Sequence, residues 1–277
     1  MTERISSFAR EGLTFDVRDA GPGDGDVVVL LHGFPQDSRS WDRLAPLLHA
    51  RGLRTLAVDQ RGYSPGARPR SRRAYRLSEL TADVVALIEQ HGQGPVHVVG
   101  HDWGAAVAWT LAARRPDLVR TLTALSVPHP AAFVRALLTS SQLWKSWYMA
   151  VFQLPVLPEH AVTATGFGRR ALLSSGMTEA QADRDLAAMR ERSRIRGALN
   201  WYRAIPFTTP KSAAMPVTVP TLYVWSDNDI ALGPAAARST ERFVTGPYTF
   251  ETLSGVSHWI PEEAPERLDA LLGAHLR

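Results

Sequence analysis

The chain has 277 residues, 45% apolar and 21% charged, with a net charge of +4, which suits one large globular α/β domain carrying an insertion. It has no cysteine, which excludes a thiol nucleophile, a disulfide framework and a cysteine-based zinc site and sets the expectation of a reducing, cytoplasmic location. No stretch stays apolar for about 18 residues, and Met1 to Gly12 is polar without an apolar leader, so no membrane span, membrane partner or secretory signal is expected.

Val27 to Leu31 is a short continuous apolar run, the signature of a strand buried on both faces of a parallel sheet. Ser40 to Ala50 follows with a helical pattern, then a strand at Arg54 to Val58. Arg68, Arg70, Arg72, Arg73 and Arg76 form a basic run. Only Tyr75 interleaves with it, so it reads as a solvated loop and no nucleic-acid partner is expected. Leu77 to His91 is helical, Val96 to Val99 a strand, Gly104 to Arg115 a helix and Thr121 to Leu125 a strand. After a long interval come strands at Thr221 to Trp225 and Tyr248 to Leu253, with a helix at Pro234 to Phe243 between them. This alternation predicts a doubly wound, mostly parallel sheet.

The rhythm breaks between Val127 and Thr218, where no buried strand is evident. Pro155 and Pro158 interrupt the segment, and Thr178-Glu179-Ala180-Gln181 opens a helix through Arg192 with a capping box. The expected organisation is a sheet domain of residues 1–127 and 216–277 with a helical cap, 128–215, inserted between its halves.

Gly100-His101-Asp102-Trp103-Gly104 follows a buried strand and leads into a helix of small residues. This is the nucleophile-elbow pattern with aspartate in the nucleophile position. A carboxylate is ionised at neutral pH and needs no base to attack. Attack on an ester carbonyl would give an unstable anhydride, whereas attack on saturated carbon gives a stable alkyl ester. The substrate is therefore expected to carry a strained epoxide oxygen or a halide on carbon.

Cleaving that ester by water needs a general base. His258, after the last strand, fits the chain order nucleophile, acid, histidine. The acid belongs after the strand ending at Trp225; Asp229 is the choice there and Asp227 the alternative. The loop His32-Gly33-Phe34-Pro35 can supply the Phe34 N–H, which with the Trp103 N–H would form an oxyanion hole. Phe34, Trp103 and Trp201 are candidates for the substrate pocket. No metal or organic cofactor is implied.

With these residues placed, the chain resembles the epoxide hydrolases of the α/β-hydrolase superfamily. His32-Gly33-Phe34-Pro35, Asp59-Gln60-Arg61-Gly62-Tyr63 and the elbow carry the resemblance; Gln36 stands where an acidic residue is common. The segments around Tyr148 and Tyr202 look like those bearing the two oxyanion-binding tyrosines of that family. The resemblance implies that Tyr148 and Tyr202 hold the ring oxygen of a small apolar epoxide, opened with water to a vicinal diol. Haloalkane dehalogenases share most of these blocks and the Asp–His–Asp set, so a dehalogenase is the alternative. A non-catalytic ligand-binding protein on the same fold is a third. Whether the protein is a monomer or a homodimer is left open.

Overall fold

The computed structural model describes residues 3–164, 166–208 and 215–276. Its strands are β1 (Ser7–Arg10), β2 (Leu13–Ala20), β3 (Val27–Leu31), β4 (Arg54–Val58), β5 (Val96–His101), β6 (Val119–Leu125), β7 (Thr221–Ser226) and β8 (Tyr248–Leu253). They form one eight-stranded sheet in the order β1-β2-β4-β3-β5-β6-β7-β8. The β1–β2 and β2–β4 pairs are antiparallel and the remaining pairs parallel. This is the α/β-hydrolase fold.

Period-two alternation splits each inner strand between two apolar layers. Val27, Val29 and Leu31 of β3 face one layer with Leu56, Val98 and Tyr223, backed by α2 (Leu77–His91) and α3 (Trp103–Arg114). Val28 and Leu30 face the other with Ala57, Val99 and Val224. That side is covered by α1 (Ala45–Ala50) and the C-terminal Pro265–His275 helix through Leu48, Leu268 and Leu272. Burying each such leucine stabilises the fold by about 1.5–3 kcal/mol.

Seven α-helices and a 3₁₀ turn at Ile205–Phe207 lie between β6 and β7 among the described residues: α4 (Pro130–Thr139), α5 (Gln142–Lys145), α6 (Trp147–Val151), α7 (Leu157–Thr163), α8 (Phe167–Ser174), α9 (Glu179–Met189) and α10 (Arg192–Arg203). The expected cap interval also includes 209–214, which lie outside the described residues. The two ends of the segment meet: the His129 ring accepts from the Ala131 N–H and pairs through Nε2 with the Met215 carbonyl, 3.1 Å away.

Three expectations change in detail. The helix opened by the Thr178 capping box ends at Met189 rather than Arg192, because Glu191 is extended (φ −69°, ψ 115°) and a new helix starts behind it. Ser40 to Ala50 divides into a 3₁₀ turn at Ser38–Trp41 and α1, since Pro46 can sit only in a helix's first turn. Pro234 to Phe243 divides likewise into α11 (Pro234–Ser239) and a 3₁₀ turn. Strands β1 and β2 were not expected. Phe15 and Val17 are buried while Thr14, Asp16 and Arg18 face out, and Phe8 stacks on Phe15 at 4.6 Å across the pair.

Candidate active site

Asp102 forms the turn between β5 and α3, with φ 52° and ψ −122°. A non-glycine residue rarely adopts this conformation and does so at a cost in energy. The flanks explain how it is tolerated. A Cβ on Gly104 would lie 2.0 Å from the Leu31 carbonyl oxygen, and one on Gly100 2.3 Å from that of Gly104. Only glycine lets β3, β5 and α3 close so tightly around the turn. The Asp102 N–H donates to the Leu125 carbonyl at 3.3 Å, and its own carbonyl accepts from Ala105 and Ala106 at 2.9 and 3.2 Å.

The Asp102 carboxylate accepts from the Phe34 N–H at 2.8 Å. The structure gives the Trp103 N–H no bond to that carboxylate, though Trp103 opens α3 and its amide belongs to the positive end of the helix. The other carboxylate oxygen stands 3.5 Å from His258 Nε2. His258 Nδ1 is 2.7 Å from Asp229 Oδ2. Asp229 is buried and its Oδ1 accepts from the N–H groups of Ala231 and Leu232 at 2.7 and 2.9 Å. Asp227, the alternative acid, instead accepts from the Gly255 N–H at 2.8 Å and holds the histidine loop rather than the imidazole.

Burial works against charge at both His258 and Asp102, but each stabilises the other. For His258, desolvation is outweighed by the Asp229 charge and by hydrogen bonds to both carboxylates, and the imidazole is pushed up to about 10. For Asp102, desolvation is outweighed by His258 and the Phe34 N–H, and the carboxyl lies below its ordinary value. The resting pair is therefore carboxylate and imidazolium.

Sequence reasoning missed the groups that hold the histidine loop. The His258 carbonyl accepts from His101 Nε2 at 2.8 Å and from Ser126 Oγ at 2.9 Å. Glu263 accepts from the N–H and hydroxyl of Ser257. A hint existed at His101, a polar residue at the end of an otherwise apolar strand next to the nucleophile. Ser126 carried none. The Gln36 amide donates to Glu262, which also pairs with Arg184 of α9, so the residue departing from the usual pattern is bonded beside the histidine loop.

Two apolar cavities, of about 650 and 420 Å³, meet at Asp102, and Tyr148 and Tyr202 line both. Tyr148 lies on α6 and Tyr202 on α10, their ring centroids 6.0 Å apart. Tyr202 is wedged edge-on against Phe34, Trp103 and Phe152 at 4.9–5.5 Å. Burial pushes both phenols up, and the nearby Asp102 charge adds to this. Phe34 lines the larger cavity and Trp103 the smaller. Trp201 borders the smaller one but is buried, with its indole N–H on the Arg61 carbonyl at 2.7 Å. Among the described residues, no group of three or more His, Asp or Glu side chains is placed to hold a metal ion.

Comparison with known proteins bears on this arrangement. Residues 26–265 match the family profile described as alpha/beta hydrolase fold. The chain is 34% identical to AB hydrolase superfamily protein YfhM of Bacillus subtilis, over 96% of this chain and 95% of that protein. It is 30% identical to Epoxide hydrolase A of Mycobacterium tuberculosis, over 98% and 96%. The crystal structure of Epoxide Hydrolase A from Mycobacterium thermoresistibile superposes with a TM-score of 0.85 at 28% identity, covering 98% of this chain and 97% of that one. The chain thus belongs to the α/β-hydrolase superfamily, alongside its epoxide hydrolases.

Proposed function

We propose that this hydrolase opens epoxides to vicinal diols through a covalent ester on Asp102. The observation that carries the reading is a carboxylate at the elbow, 3.5 Å from His258 Nε2, in an apolar space that two tyrosines share. One Asp102 oxygen attacks a ring carbon and the carbon–oxygen bond of the ring breaks. The departing oxygen stays attached to the substrate and takes a proton from the Tyr148–Tyr202 pair. Two phenols suit an oxygen that must be held and protonated in place; a halide leaves as a free anion and needs no proton.

Alkylation removes the charge and the hydrogen bond that Asp102 offered His258. The imidazole then falls back toward its ordinary value and gives up its proton, which returns through solvent to the phenolate left by ring opening. Neutral His258, oriented by Asp229, next takes a proton from water as the hydroxide adds to the ester carbonyl. The Phe34 N–H, already 2.8 Å from Asp102 Oδ1, and the Trp103 N–H stabilise the tetrahedral oxyanion. Collapse frees the diol and restores the carboxylate with one oxygen from water. In this reading residues 128–215 act as a cap over the sheet domain of 1–127 and 216–277.

The test is His258→Gln incubated with a small aryl epoxide and analysed by peptide mass. An adduct of the substrate's mass on the Asp102 peptide, with no diol released, is the expected result. An unmodified Asp102 peptide, or a parent enzyme that releases halide from haloalkanes yet forms no diol from epoxides, overturns the proposal.

A further inference from the structure

The distribution of exposed apolar side chains is one-sided. Thirteen large ones are exposed among the described residues; twelve lie within residues 134–215, and the other, Ile230, lines the larger cavity. Trp144 is 79% exposed, Trp147 57% and Leu138 83%. Trp144, Trp147, Phe167 and Ile230 all border the larger cavity, so its mouth is ringed by apolar groups facing water. Exposed apolar clusters of this kind mark a surface that is covered in use.

Charge indicates what covers it. Residues 128–215 contain 11 Lys and Arg against 5 Asp and Glu, so the segment carries +6 while the rest of the chain carries −2. Arg135 and Arg170 are exposed and enter no ion pair among the described residues; Arg170 also lines the cavity. Helices α4, α5, α6 and α8 themselves carry Arg135, Lys145, Arg169 and Arg170 and no Asp or Glu, so a second copy seated on this face would oppose like charges. Indoles and leucines beside unpaired cations instead match the headgroup region of an anionic lipid bilayer.

We infer that the face formed by α4–α6 and α8 docks on anionic lipid surfaces, with Trp144, Trp147 and Leu138 entering the headgroup layer. Docking needs no spanning segment, and no helix among the described residues is long and apolar enough to cross a membrane. The cavity mouth would then open toward the lipid, so an apolar substrate dissolved there could reach Asp102 without crossing water; this last step rests on the epoxide-opening reading.

The experiment is co-sedimentation of the full chain with phosphatidylglycerol and with phosphatidylcholine vesicles. It involves no turnover, so its failure is separate from any failure of the proposed chemistry. Binding to the anionic vesicles only, weakened by high salt, is expected. Leu138→Ser with Leu143→Ser, the latter on α5 and 57% exposed, should abolish binding while leaving diol formation from a water-dissolved epoxide unchanged. Arg135→Gln should weaken binding about fivefold. No binding to anionic vesicles at low salt overturns the inference. So does a dimer of the parent chain that becomes monomeric in the leucine variant, because a second copy would then be the occupant of this face.

Discussion

At the end of the sheet, Asp102, Asp229 and His258 are each held through backbone hydrogen bonds of strand-end loops. In the helices above them, Tyr148 and Tyr202 are held by ring packing against Phe34, Trp103 and Phe152. The first kind of support is directional and leaves little freedom to the reacting atoms. The second is chiefly a matter of shape, to which Tyr202 adds a hydrogen bond with Trp103 and one from the Gln153 amide to its carbonyl at 2.8 Å. The site thus joins a rigid charged centre to an apolar wall built from packed rings.

The sharpest way to break this comparison is Asp102→Ala. It should lower kcat by roughly 10⁴-fold or more; surviving turnover would mean that the charged centre is not where the chemistry occurs. The same variant removes a charge that favours imidazolium. His258, which holds its proton up to about pH 10 in the parent, should lose it at a lower pH when followed by the imidazole NMR shifts. The sign for stability follows. Because folding raises the histidine's pKa, the resulting stabilisation is complete below about pH 6.5 and is lost as pH rises toward 10. A parent enzyme whose denaturant midpoint shows no such decline would remove the ion pair from the account.

Gly104→Ala tests how rigid the sheet end is. The added methyl would press on the Leu31 carbonyl oxygen at 2.0 Å, and a cost of about 3 kcal/mol should lower the thermal midpoint by about 6 °C or more. A smaller drop would mean that the elbow can relax. Tyr202→Phe tests the apolar wall: kcat on epoxides should fall about 10²-fold with KM and fold little changed, and an unchanged kcat would leave Tyr202 a packing residue. The smallest effect is expected from Asp227→Asn. Its amide oxygen can still accept from Gly255 N–H, so turnover should stay within about threefold and stability within about 1 kcal/mol. A loss as large as that from Asp229→Asn would reverse the assignment of the two acids.

The inner strands and the elbow were legible because their signals are local. A continuous apolar run, a glycine on each side of Asp102 and a helix of small residues each follow from one stretch of chain. The edge strands β1 and β2 were overlooked because half-buried alternation over four to eight residues is a weaker signal than an unbroken buried run. The extent of α9 was overread because nothing in residues 189–192 marks the extended backbone at Glu191, whose carboxylate is drawn to Arg68 and Ser193.

The sequence by itself determined the parallel core of the sheet, the aspartate at the elbow and the order in which acid and histidine follow it, because strand periodicity and turn sterics act between near neighbours. Only the tertiary structure decided that Asp229 rather than Asp227 reaches the imidazole, that His101 and Ser126 hold the histidine loop, and that two cavities meet between Tyr148 and Tyr202. Those outcomes depend on contacts between residues dozens to more than a hundred positions apart. Their geometry is set by how β5, β6, β7 and the helices above them pack, which no single segment encodes.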